Sequence, residues 1–280
     1  MKHYRKIAAM FLCGALLFAG CGAEETAENE TNNTELDHDH CIHDMTQEEQ
    51  SQVEEELKAV LGVSGVKLIE EKNQDLAVSI DLVWGENEFD PGTVTYKVYD
   101  LEEGYPDQTT APMQEIVVED YSFFDEVPCN VADYNFDGAA DISLWLYSGA
   151  QNAQGKFFLW DKAAGLFVEN ESLSQLTSPM VRDQFKIILE HIHVSGAEYV
   201  DVLYRWEGKE LVPVRRIIQE MPMIGTLQGE VCDWYEGDWE LMFERKILIS
   251  EGDWTQEDYD KIDDLGRELQ AYYDPAYYGF

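Results

Sequence analysis

Residues 199–214 read YVDVLYRWEGKELVPV, and this stretch decides the fold class. From Tyr199 to Trp206 the side chains alternate in character, the period of two that turns one side of an extended chain to a core and the other to water. Glu207-Gly208-Lys209-Glu210 interrupts the run with a turn, and Leu211-Val212-Pro213-Val214 resumes it, so the segment reads as a β-hairpin. Pro213 has no N–H to give a ladder, which marks an edge position or a bulge.

The same period recurs outward in both directions. Strands are expected over 66–72, 76–84, 93–100, 113–119, 142–147, 156–161, 185–194, 199–206, 211–220 and 239–249, with Gly, Pro, Ser and Asp turn signals between them. Helical spacing governs only the two ends. Thr46 with Glu49 three positions on forms a capping box, Val53, Leu57, Val60 and Leu61 make one apolar face, and Gly62 is the stop. Thr255 with Asp258 opens a second helix striped by Tyr259, Ile262, Leu265 and Leu269. The expected fold is mainly β: an antiparallel meander, degenerate β-propeller-like or a curved sandwich, with one N-terminal and one C-terminal helix.

The chain has 280 residues, 45% apolar and 12% aromatic, enough for a sizeable core. Lys and Arg number 19 against 57 Asp and Glu, a net charge of −38. Such a surface repels phosphate backbones, which excludes nucleic acid as a partner. Divalent cations or a basic protein are the partners that charge attracts; a merely solvated acidic surface is the plain alternative.

Residues 1–20 carry Lys2, Arg5 and Lys6 ahead of an apolar run from Ile7 to Phe18, the layout of a secretory signal. The segment ends Ala19-Gly20-Cys21 and resembles the lipobox of bacterial lipoproteins, with Phe18 in place of the usual Leu. That resemblance implies cleavage before Cys21, a diacylglyceryl thioether on its sulfur, and a lipid anchor in the bacterial cell membrane facing the extracytoplasmic side. Residues 21–45 are polar and acidic and read as a tether with a reach of about 25–30 Å. His38, His40 and His43, with Cys41 among them, form a secondary candidate set for zinc or copper; a solvated linker with incidental histidines is the plainer reading. Residues 46–280 are expected to be a single calcium-binding β domain. Cys41, Cys129 and Cys232 remain after Cys13 and Cys21, so at most one bridge forms, and Cys129–Cys232 is left open.

One motif carries chemistry. Residues 129–147 read CNVADYNFDGAADISLWLY, which sets Asp133, Asn135, Asp137, Gly138, Ala139 and Asp141 at the spacing of a calcium loop. Asp133, Asn135, Asp137 and Asp141 are the expected side-chain ligands and Ala139 the carbonyl donor. Leu144 stands where an EF-hand has its bidentate Glu, and the flanks read as strands. An Asx-turn loop with solvated acids is the alternative. The loop resembles that of FG-GAP and VCBS repeats. With Trp160, Phe167, the Tyr204–Leu211 run and Arg215-Arg216, it is similar to a group of bacterial envelope lipoproteins with an Asn-Phe-Asp-Gly loop in a degenerate β-propeller, some of them immunity proteins that inhibit peptidoglycan hydrolases. The resemblance implies a membrane-anchored, calcium-stabilised binding lipoprotein that captures a basic partner such as a wall hydrolase.

No nucleophile elbow, His-Glu-x-x-His or phosphate-cradling loop occurs, and the chain reads as a non-enzyme. His191 and His193 share one strand face, as a metal pair or as a half-exposed surface. Trp234, Tyr235, Trp239, Trp254, Tyr272, Tyr273, Tyr277 and Tyr278 crowd the C-terminal third, as sugar-stacking or core residues. An enzyme or a carbohydrate-binding component acting on wall or extracellular polymer is the alternative function.

Overall fold

Apolar side chains on both faces of residues 142–147 and 157–160 place these strands in the middle of the protein. The computed structural model describes residues 42–273 other than 72–73, 88–89, 103, 123–127, 149–151 and 196–197. Two units separate, Met1–Leu36 and Asp37–Phe280. The first lies outside the described residues, as do the signal segment, Cys21, His38 and His40.

Three antiparallel meanders follow in chain order. The first comprises β1 (Gly65–Glu71), β2 (Gln74–Val83), β3 (Gly92–Asp100) and β4 (Gln114–Tyr121). The second comprises β5 (Asn130–Ala132), β6 (Asp141–Ser148), β7 (Ala153–Asp161) and β8 (Leu166–Glu169). The third has six strands: β9 (Met180–Arg182), β10 (Ile187–Ser195), β11 (Glu198–Glu207), β12 (Glu210–Met223), β13 (Thr226–Tyr235) and β14 (Asp238–Leu248). Helices α1 (Gln47–Leu61) and α3 (Gln256–Gln270) flank them, and the single turn α2 (Glu171–Ser174) joins the second meander to the third. The architecture is mainly β and antiparallel with a helix near each end, as the alternation predicts. The β-propeller expectation is corrected: among the described residues the strands form three open sheets, with no closed propeller sheet. Side-chain layers, not a closed ring of blades, hold the sheets together.

Two of these layers share the second meander. On one side Ile142, Leu144, Phe158 and Trp160 pack against Ile69, Val78, Val94 and Tyr96 of the first sheet. On the other, Phe157 and Trp145 meet Tyr134, Leu173, Leu176, Ile188, Tyr204 and Trp206. The third layer lies between the six-stranded sheet and α3, where Leu203, Ile217, Leu227 and Val231 receive Leu265 and Leu269. Each such fully buried side chain contributes about 1.5–3 kcal/mol.

Both capping boxes form, Thr46 with Glu49 and Thr255 with Asp258, and Gly62 ends α1 in the left-handed region at φ 68°. Pro213 sits beside a register shift between Leu203 and Tyr204, the bulge its missing N–H requires. Strand β13 is absent from the sequence reading because Gln228, Gly229, Glu230 and Asp233 break its apolar run. Gly229 is there for α3: a Cβ on it would lie 2.8 Å from Leu265 Cδ1.

Cys129 and Cys232 are both buried free thiols, so the bridge left open by the sequence does not form. Burial pushes the Cys129 thiol up to about 12, which makes it inert. Ile42, within the stretch read as tether, is buried and donates its N–H to Asp75 Oδ2 at 3.1 Å.

Candidate functional site

Strands β5 and β6 are joined by Asp133–Ala140, the loop the sequence singles out. Its turn is made by two residues in the left-handed region, Phe136 at φ 60° and Gly138 at φ 81°. For glycine this costs nothing; for Phe136 it is strained, and the ring is held by packing in the second layer and by Lys186 Nζ 4.9 Å from its centroid.

The expectation of calcium is overturned. No group of three or more His, Cys, Asp or Glu side chains arranged to hold a metal ion occurs among the described residues. The hydrogen bonds give the reason. Asp133 accepts the amides of Asp137 at 3.1 Å and Gly138 at 2.9 Å. Asn135 Oδ1 accepts the Asp137 amide at 3.0 Å, and Asp137 Oδ1 accepts that of Ala139 at 2.8 Å. Both oxygens of Asp141 are taken by amides, Oδ2 accepting from Tyr134 N and Oδ1 from Trp160 N, each at 2.8 Å. The oxygens expected to converge on a cation are spent on backbone N–H groups, in the Asx-turn arrangement. The cation beside the loop is a side chain: Lys162 Nζ donates to the Asp137 carbonyl at 3.0 Å and to Asp137 Oδ1 at 3.1 Å.

The acids differ in their environments. Asp141 is fully buried, and desolvation raises its pKa to about 7 against the opposing pull of its two amide bonds. Glu71, at the end of β1, is raised by burial although it accepts the Ala140 amide. Burial works against ionisation of Asp137 as well, yet the Ala139 amide and the Lys162 ammonium together hold it below the usual range.

Beside this loop opens a cleft of about 430 Å³. Asn135 and Asp137 form one wall. The β7–β8 hairpin supplies Trp160, Asp161, Lys162, Glu169 and Asn170, and the β11–β12 turn supplies Trp206, Gly208 and Lys209. The Ala163 and Ala164 amides hold Asp161 ionised from one side, and Lys209 Nζ stands 3.6 Å from it on the other. Trp206 is fixed by an indole N–H bond to the Tyr134 carbonyl at 2.9 Å. The arrangement presents carboxylates, amides and an indole to one small volume.

Of the loop residues expected to act together, Asn135 and Asp137 line the cleft, while Asp141 does not. Sequence reasoning missed Asp161, Lys162 and Glu169 as site residues; the Ala164-Gly165 turn that brings them together was the available signal. His43 pairs with Asp44 at 3.4 Å. His191 Nδ1 meets Asp201 Oδ1 at 2.5 Å, and Asp201 also accepts the Tyr273 hydroxyl, so this histidine belongs to a hydrogen-bond network and not to a metal pair.

No family model matches the chain, and no curated protein does. Among solved structures, a protein described as a Xanthomonas Type IV Secretion System related protein aligns with 14% identity over 65% of this chain and 95% of its own, with a TM-score of 0.45.

Proposed function

We propose that the protein is a lipid-anchored extracytoplasmic binding protein that captures a cationic protein partner, a basic cell-wall hydrolase being the expected class, by seating a Lys or Arg side chain in the Trp206 cleft. One observation carries this reading: the cleft already holds cations. Lys162 and Lys209 are drawn to Asp137 and Asp161 within it, and among the described residues the 94% exposed side chain of Lys209 is held by a 3.6 Å contact alone. An exposed pair of that length is worth about 0–1 kcal/mol, so a partner's cation displaces it cheaply. The Trp206 ring adds a face on which a guanidinium stacks. The net charge of −38 steers a basic partner toward the whole surface. Anchoring rests on the signal-like segment and Cys21.

The test is calorimetric titration of the full chain carrying Cys21→Ser with lysozyme, a cationic wall hydrolase, together with an assay of its lytic activity. Saturable binding weakened at least about tenfold by Asp161→Asn with Glu169→Gln supports the reading. Binding that these substitutions leave unchanged overturns it. Preferential binding of wall oligosaccharide in the same cleft assigns the Asn135 and Asn170 amides and Trp206 to a sugar instead.

A further inference from the structure

Arg215 and Arg216 are neighbours on β12 with opposite fates. Arg215 points toward α3 and is fully engaged by Asp233, with Nε–Oδ1 2.6 Å and Nη2–Oδ2 2.9 Å. Arg216 points to the other face of the six-stranded sheet, between its cross-strand partners Val202 and Cys232. Its guanidinium carbon lies 4.9 Å from the centroid of the Trp239 ring, and Trp239 is braced edge-on by Trp234 at 5.0 Å and 70°. Its hydrogen bonding is poor. Nη2 reaches only Cys232 Sγ at 3.9 Å, a weak acceptor, and Nε is buried without a partner among the described residues.

This is an expensive arrangement in a chain with 57 carboxylates. The buried Nε–H of this half-buried guanidinium has given up water without replacement. Most cationic side chains of the described residues have a carboxylate within ion-pair distance; Arg216 has none. Glu230, on the same face, accepts from Gln228, and no ion pair joins it to Arg216 among the described residues. The indole meanwhile holds the guanidinium plane fixed, which lowers the ordering cost of a two-pronged hydrogen bond to an oxyanion.

We propose that Arg216, stacked on Trp239, is the binding site for a carboxylate group of a ligand, such as the free C-terminus of a short peptide. The acids Glu230 and Glu244 on that face admit a single negative charge more readily than the double charge of a phosphate. Arg216 and Trp239 share the six-stranded sheet with Trp206 but are not among the residues that line the Trp206 cleft, so neither reading depends on the other.

The Cys21→Ser full chain, titrated with N-acetyl-Ala-Ala at constant ionic strength and followed by tryptophan fluorescence, tests this, because Trp234 and Trp239 report on the site. The matched probe is N-acetyl-Ala-Ala amide, identical but neutral. A saturable signal with the acid and none with the amide is expected. Arg216→Lys, which keeps the charge and loses the planar fork, weakens the acid by at least about tenfold. Equal responses to acid and amide overturn the proposal without reference to any variant, and so does unchanged affinity in Arg216→Lys. Inorganic phosphate is the third arm, and tighter binding of phosphate than of the peptide acid overturns the assignment to a carboxylate.

Discussion

The indole N–H of Trp206, near the end of β11, donates to the carbonyl of Tyr134 in the Asp133–Ala140 loop at 2.9 Å, joining residues 72 positions apart in the chain. The bond fixes the β11–β12 turn against the Asp133–Ala140 loop and so sets the width of the cleft between them. Trp206→Phe keeps an aromatic ring but leaves the Tyr134 carbonyl without this donor. Urea unfolding should show a loss of about 1 kcal/mol, with binding of a cationic partner weakened as well.

Asp141 makes stability depend on pH. Its folded pKa is about 7 against an ordinary 3.8, so between those values the folded state binds a proton that the unfolded state has released. Stability contributed at this site therefore falls as pH rises from about 4 to about 7, and is level above. Asp141→Asn removes the titration but accepts only one of the Tyr134 and Trp160 amides, at a cost of about 1–3 kcal/mol. Unfolding free energies across that range should show the gap between wild type and variant narrowing as pH rises.

The Arg215–Asp233 pair is buried, and Arg215 Nη1 also donates to the Tyr272 carbonyl at 3.1 Å. Removing one partner strands the other. Asp233→Asn or Arg215→Met should each cost about 3–5 kcal/mol. The double variant should cost less than the sum of the two, and a double-mutant cycle in urea reads the difference.

Cys21→Ser should move the protein from the membrane to the soluble fraction, since acyl chains on this sulfur supply the attachment. Fractionation after a high-salt wash reads the outcome; retention in the membrane would contradict the lipid-anchor reading.

Local chemistry was legible wherever one short segment decides its own structure. The capping residues Thr46 and Thr255, the 199–214 hairpin and the bulge at Pro213 all follow from neighbours in sequence. Strand β13 was hidden because its central residue answers to α3: Gly229 weakens a strand locally and permits a helix packed against it. The 133–141 loop misled for a related reason. Spacing names the oxygens but not their direction, and the Trp160 amide that captures Asp141 lies 19 positions away. Lys162, which neutralises Asp137, comes from a hairpin 25 positions on. Arg216 was legible as a residue and not as a site, since its isolation is a property of the strands on either side.

The contact of α3 with Gly229 also bears on the order in which the chain completes itself. The layer between the first two meanders draws on residues from Ile69 to Phe167 and is whole before the last strands have been made. The layer beneath α3 requires Leu265 and Leu269, close to the end of the described residues. A polypeptide emerging N-terminus first can thus close its first half early. Its six-stranded sheet stays uncovered on one face until α3 has been made. Premature termination between β14 and α3 would leave a sheet with every strand in place and a bare greasy floor, the kind of product that aggregates or is cleared by proteases.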